Sequence, residues 1–269
     1  MIPQAQFSYG AAAGPEGIHA LWDADPALIS ILLVILVFGM TEARHRPAFF
    51  LAWLLIAFAF VSPFNALSAA LFSALTLHHL LMVMLIAPLL AISIPLRLMR
   101  ASLALVSTVL VLAMWYLPSV YTALWADARI FWLMQGLLLG SATIFWSEVL
   151  AMARGEIIRD ERGRLLPGQY EGASLIAAAI MMAVLAGAMA LIGSMLTFAR
   201  RAFYPENFAG AAIWQVDPLL DQHLAGLMLW IPGIVPLVLL TLIFLQRSGQ
   251  SEEEGDGAAE RERRPENAR

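Results

Sequence analysis

The chain has 269 residues, 61% hydrophobic and only 13% charged, with a formal net charge of −4. A soluble domain carries about twice that charge fraction. So few charges cannot coat a globular surface, and lipid must be the solvent for much of the chain. The weak acidic balance carries no nucleic-acid signature. All sixteen basic residues are arginine, which excludes a lysine Schiff base, and cysteine is absent, which excludes disulfides and thiolate metal sites.

In chain order, residues 1–25 hold no Arg and no compact apolar run, and read as an external tail carrying Glu16, Asp23 and Asp25. Seven apolar stretches follow and make a membrane domain over 26–246: Pro26–Met40, Pro47–Val61, Leu67–Ile94, Ala101–Leu124, Ile130–Ala153, Ala173–Ala199 and His223–Gln246. A helical span needs about 20 apolar residues. The unbroken runs do not alternate as β-barrel strands do, so the spans are expected to be helices. The third stretch is long and holds Pro88, which predicts a kink or a separate external helix at its start. Gly193-Ser194 and Ala186-Gly187-Ala188 predict close helix packing in the sixth. The loop 200–222, with Phe203, Tyr204, Phe208 and Trp214, suits the membrane interface. Residues 247–269 are polar and read as a disordered cytoplasmic tail.

Arginine placement orients the chain. With the N-terminus outside, the inner segments hold Arg44, Arg46, Arg97, Arg100, Arg154, Arg159, Arg162, Arg164, Arg247, Arg261, Arg263, Arg264 and Arg269. The outer segments hold Arg129, Arg200 and Arg201. Cytoplasmic loops carry the positive excess. The expectation is therefore an all-α, polytopic integral membrane protein with seven transmembrane helices, N-terminus outside and C-terminus inside.

Polar groups within spans are costly and point to function. His78, His79 and Met82 share one helix face, because residues three and four apart are neighbours. Imidazole plus thioether is a soft ligand set suited to copper(I). The structural alternative is that the methionine packs and the histidines bond to neighbouring helices. Asp221, Gln222 and His223 open the seventh stretch. There Asp217 or Asp221 would serve as an N-cap, or Asp221 and His223 would join His78, His79 and Met82 at a metal. A late start of the third helix would bring His79 near the level of His223, and an early start would separate them. Trp230-Ile231-Pro232-Gly233 predicts a kink in the seventh helix, and Glu148 reads as facing water or an inner-loop arginine. Gln135 lies within the fifth stretch. No P-loop, HExxH or Gly-x-Ser-x-Gly elbow occurs, so no enzymatic activity is expected.

Several of these segments together resemble one family. Ser73-Ala74-Leu75-Thr76-Leu77-His78-His79-Leu80-Leu81-Met82, with Ala87-Pro88-Leu89-Leu90 and Ile94-Pro95-Leu96-Arg97, resembles its third helix. Trp115-Tyr116-Leu117-Pro118-Ser119-Val120-Tyr121 is similar to its Trp-x-x-Pro-x-x-Tyr segment. Phe145-Trp146 matches the end of its fifth helix, and Asp221-Gln222-His223-Leu224-Ala225-Gly226 through Trp230-Ile231-Pro232-Gly233 its Asp-Gln-x-x-Gly segment. The family is the CtaG-type cytochrome c oxidase assembly factors, and the resemblance runs from about residue 60 to 240. It implies a seven-span protein of the bacterial plasma (inner) membrane that helps mature a haem–copper oxidase subunit, with copper delivery the usual proposal. The family's third helix typically has His where this chain has Leu75, as well as at His79. Its fifth helix typically has His where this chain has aromatic residues and Gln135. His78 and His223 are additional. Two other functions remain open: a transporter of copper or a small solute, and a haem-binding redox protein using His79 and His223.

Overall fold

The computed structural model describes residues 14–155, 158–159, 165–166 and 171–263. Twelve α-helices occur among them: α1 (Pro26–Glu42), α2 (Arg46–Val61), α3 (Pro63–Ala70), α4 (Phe72–Leu81), α5 (Ala87–Ser93), α6 (Ala101–Trp115), α7 (Pro118–Ala126), α8 (Ala128–Ala153), α9 (Glu171–Thr197), α10 (Phe208–Ile213), α11 (Pro218–Met228) and α12 (Ile234–Arg263). Between α8 and α9 a two-residue antiparallel pairing joins Ile158–Arg159 to Leu165–Leu166.

Four helical runs are long and apolar enough to cross a membrane: Phe72–Ser93, Ala128–Ala153, Gly172–Thr197 and Pro218–Gln250. Two bent pairs qualify when each is taken as one span, α2 with α3 at 54° and α6 with α7 at 74°. The structure thus carries four to six candidate spans by length and composition. The remaining predicted stretch, the first, is α1, an apolar helix of 17 residues. Its surface is exposed at Ile31, Val34, Val37 and Phe38, as a lipid-facing helix requires.

Local chemistry explains the breaks. Each bent pair breaks at a proline that opens the second helix, Pro63 after Ser62 and Pro118 after Leu117. A proline at the first helical position loses no bond, while the residue before it is pushed to extended backbone. Leu71, between α3 and α4, is extended as well (φ −119°, ψ 132°), so the predicted third stretch does begin as a separate short helix. Two wider π turns interrupt the long spans, Met82–Ile86 ahead of Pro88 and Leu229–Gly233 around Pro232. A proline inside a helix has no N–H for the carbonyl four residues back and its ring collides with it, so one extra residue loops out to relieve the clash.

The helices pack as a bundle with α12 along α9, α6 and α5 on α8, α11 between α9 and α4, and α2 on α5 and α1. The α9–α11 contact is close because Gly193 and Gly226 meet. A Cβ on Gly226 would overlap the Thr197 side chain, and one on Gly193 would overlap the Trp230 ring. Gly187, also expected to serve close packing, has open space where its Cβ would lie. Tryptophan N–H groups tie helices to one another: Trp53 donates to Leu32 O at 2.8 Å, Trp230 to Ala190 O at 3.0 Å, and Trp146 to Val83 O at 2.7 Å. The last takes a carbonyl within the first π turn, where helical pairing is disturbed.

Helix α12 runs to Arg263 rather than ending near Gln246. The Glu-, Ala- and Arg-rich sequence from Ser251 favours helix by intrinsic propensity. Residues 1–13 of the expected external tail and 264–269 of the expected cytoplasmic tail lie outside the described residues.

Candidate functional site

The site is built around the N-terminal part of α4. Its first amides would be bare, since Leu71 offers no side-chain cap. Asp221 of α11 supplies one from 148 residues away. Its carboxylate accepts Phe72 N at 2.7 Å and Ser73 N at 3.1 Å, and accepts the Ser73 hydroxyl as well. Asp221 is 1% exposed. A negative charge is stabilised at a helix N-terminus by the aligned peptide dipoles and free amides. The cap of α11 itself is Asp217, which accepts Leu219 N at 2.9 Å and Leu220 N at 3.0 Å. Of the two capping candidates in the sequence, Asp217 is the local one and Asp221 caps a neighbour.

The next two residues are also occupied. Gln222 accepts Phe203 N at 2.7 Å and donates to Arg201 O at 3.3 Å, anchoring the loop after α9. His223 Nε2 lies 2.9 Å from Ala199 O, just past the end of α9. The loop after α9 is expected at the membrane interface, and its side chains also reach between the helices. Tyr204 is 3% exposed, stacks on Phe72 with ring centres 3.9 Å apart, and donates its hydroxyl to Tyr116 O at 2.8 Å. Tyr121 donates to Asn207 Oδ1 at 2.6 Å, and Asn207 reaches Ala69 O at 3.4 Å. The carbonyls freed at the α6–α7 and α3–α4 breaks are thus met by this loop. The tyrosine of the Trp-x-x-Pro-x-x-Tyr segment and its broken helix end are explained by that stitching. Burial holds the Tyr204 phenol above its ordinary range, since the charged form would lose water.

His78 and His79 lie one and a half to two turns inside α4, about 10 Å below Asp221 along the axis. Both are buried, and none of their four ring nitrogens has a hydrogen-bond partner. The rings diverge. His78 stacks on Phe64 at 5.8 Å and meets the edge of Phe60 at 5.0 Å. His79 lies against Trp115, 4.2 Å between centres, with Tyr116 at 6.2 Å. The two imidazoles are 6.2 Å apart and perpendicular. Met82, at the start of the π turn, is 1% exposed. Gln135 of α8 is buried with both amide atoms unpartnered. It stands one turn along from Phe131, which packs on Trp115, and from Trp132, which packs on Phe60.

The structure therefore keeps His78, His79 and Met82 together on one helix. It sets Asp221 at the mouth of α4 as a cap and His223 against the end of α9. Among the described residues no three His, Asp or Glu side chains converge as a metal cluster. A soft ion would find its free donors in the imidazole nitrogens of α4, with Met82 three and four residues further along the same helical run, a set suited to copper(I). Leu75, one turn before His79, and Phe131 line a small cavity of about 10 Å³ with Trp115 and Tyr121. Where the family resemblance implies histidine, this chain has Leu75, aromatic residues of α8 and Gln135. At the opposite end, Arg97 Nε lies 3.4 Å from Glu148 Oε1, and Ser147 accepts Leu96 N at 3.0 Å, so the α5–α6 loop is pinned to α8. Of the two partners expected for Glu148, water or a loop arginine, it meets the arginine, Arg97.

The family model for the cytochrome c oxidase caa3 assembly factor (Caa3_CtaG) matches residues 41–250. The chain belongs to that family. The match covers every helix from α2 to α11 and most of α12, and hence Asp221, the histidine pair and Gln135. No curated protein and no solved structure matches the chain. Family membership and the apolar helices together make this oxidase assembly factor a multi-pass membrane protein.

Proposed function

We propose that this chain is a non-catalytic assembly factor of the bacterial plasma membrane, assisting maturation of a haem–copper oxidase subunit with copper(I) as its cargo. The observation that carries the reading is the pair of buried imidazoles with unpartnered nitrogens, in a family named for oxidase assembly. Leaving a buried polar atom unpaired costs about 1–3 kcal/mol. A transient ligand would relieve that cost. Because His78 and His79 diverge, one ion would take His79 or His78 with Met82, spaced three and four residues apart. Copper(I) accepts such low coordination, and a site of few ligands suits cargo that must be handed on. Asp221 contributes by fixing the helix that carries these donors, and His223 by holding α9 to α11. The proposed topology counts α1, the two bent pairs and the four long helices as seven spans. With the arginine excess inside, the N-terminus is outside and the C-terminus in the cytoplasm.

The deciding experiment removes the protein from a cell that makes a haem–copper oxidase. Oxidase activity and its copper-dependent spectrum should fall while the oxidase transcript is unchanged, and added copper should partly restore them. Full oxidase activity with intact haem and copper spectra would overturn the assembly reading. A C-terminal reporter active only in the cytoplasm should be active, and the opposite result would mean that one of the seven spans has been miscounted. A haem absorption band in the purified protein would instead favour the redox alternative.

A further inference from the structure

Trp115 differs from three other tryptophans of the bundle. Trp53, Trp146 and Trp230 each donate their indole N–H to a backbone carbonyl of another helix. Trp115 is 1% exposed and its N–H has no partner. Buried tryptophan N–H groups usually find an acceptor, and a purely apolar side chain would leave no donor unpaired. What Trp115 contributes is its ring face. The ring centres of Trp115 and His79 are 4.2 Å apart with the planes tilted by 51°, and the Phe131 ring stands perpendicular to the indole at 6.1 Å. The imidazole beside it has no partner on either nitrogen.

An indole face is negative and attracts a cation within about 6 Å of its centre, most strongly where water is excluded. We propose that the Trp115 indole forms one wall of the copper(I) site on His79, shielding the ion and offsetting its single charge by cation–π attraction. This rests on the copper reading above and adds a residue to it. An imidazole nitrogen lends its lone pair to the ion, the Met82 thioether takes a second position, and the indole face closes a third side without a covalent bond. The ion remains copper(I) throughout. Such a wall holds a monovalent cation in a low-dielectric setting yet releases it without breaking a strong ligand bond.

The test titrates copper(I) anaerobically into purified wild-type protein, Trp115→Phe, Trp115→Leu and His79→Ala, in competition with a chromophoric copper(I) chelator. Folding of each is checked by its elution profile and melting curve. Wild type should bind copper(I), and His79→Ala should lose it. Trp115→Leu should weaken binding by up to about 30-fold, the equivalent of the roughly 2 kcal/mol of a desolvated cation–π contact. Trp115→Phe, which keeps a weaker aromatic face, should fall between. Copper(I) should also perturb indole absorption in wild type but not in Trp115→Phe, although seven tryptophans remain. Wild-type affinity in a folded Trp115→Leu, with the same indole perturbation in Trp115→Phe, would overturn the wall and leave the copper reading standing. If Trp115→Leu fails to fold, Trp115→Phe decides by the same two measures. Wild-type protein that takes no copper(I) would overturn both.

Discussion

Asp221→Ala is the sharpest perturbation that the architecture offers. The substitution removes three hydrogen bonds to a buried carboxylate, two from the backbone of Phe72 and Ser73 and one from the Ser73 hydroxyl. Bonds to a charged group are worth about 1.5–3 kcal/mol each, but removing the carboxylate also removes its own desolvation cost. Breaking one side of a buried charged arrangement costs about 3–5 kcal/mol, and that is the expected loss. For a protein of this size it corresponds to a fall of roughly 6–20 °C in melting temperature. The assay is thermal unfolding in detergent, with Asp217→Ala as the internal comparison. Asp217 caps only its own exposed helix end, so its loss should cost about 1 kcal/mol. The two aspartates are four residues apart and chemically alike, so a large difference between them isolates the cross-helix role. Equal and small effects would refute the reasoning.

Gly210→Ala should cost more than about 2 kcal/mol or abolish accumulation in the membrane, because its Cβ would overlap the backbone of Ala70; Gly187→Ala, inside α9 and facing open space, should not destabilise and should raise stability by up to about 1 kcal/mol in the same unfolding assay. Trp146→Phe keeps the ring but leaves Val83 O unpaired in the π turn, and a loss of about 1–3 kcal/mol in the same unfolding assay is expected. His223→Ala should leave copper(I) binding unchanged in the chelator competition, since its ring bonds to Ala199 O, whereas His79→Ala should lose it. Met82→Leu conserves volume and should weaken copper(I) binding with little effect on unfolding.

Much of the architecture was legible because its causes are local. Apolar runs between arginine-bearing loops mark the helices, and Pro88 and Pro232 mark where two of them are disturbed, whereas the bends at Pro63 and Pro118 fall inside or beside runs that read as unbroken. The separate helix before Phe72 and the disturbance ahead of Pro88 follow from the length of the third stretch and its proline. The candidate site was legible only in part. The spacing of His78, His79 and Met82 survives in the fold, because helical periodicity decides it. The roles of Asp221 and His223 were not legible, since a carboxylate before an apolar run looks the same whether it caps its own helix or another. Nor could the orphaned indole of Trp115 be read from the sequence, because the absence of a hydrogen bond depends on every neighbour. The aromatic loop after α9 gave a signal of interfacial placement, but nothing local told that Tyr204 turns inward to stack on Phe72.

The cap on α4 also imposes an order on synthesis. The amides of Phe72 and Ser73 leave the ribosome long before Asp221 does, and at about 5–20 residues per second the interval is roughly 7–30 s. Throughout it the helix carrying the histidine pair lacks the Asp221 carboxylate at its N-terminus, so the amides of its first turn are without that cap. The nascent chain thus crosses the membrane several times before the pair acquires its final setting, and the last membrane helix to emerge is the one that fixes it.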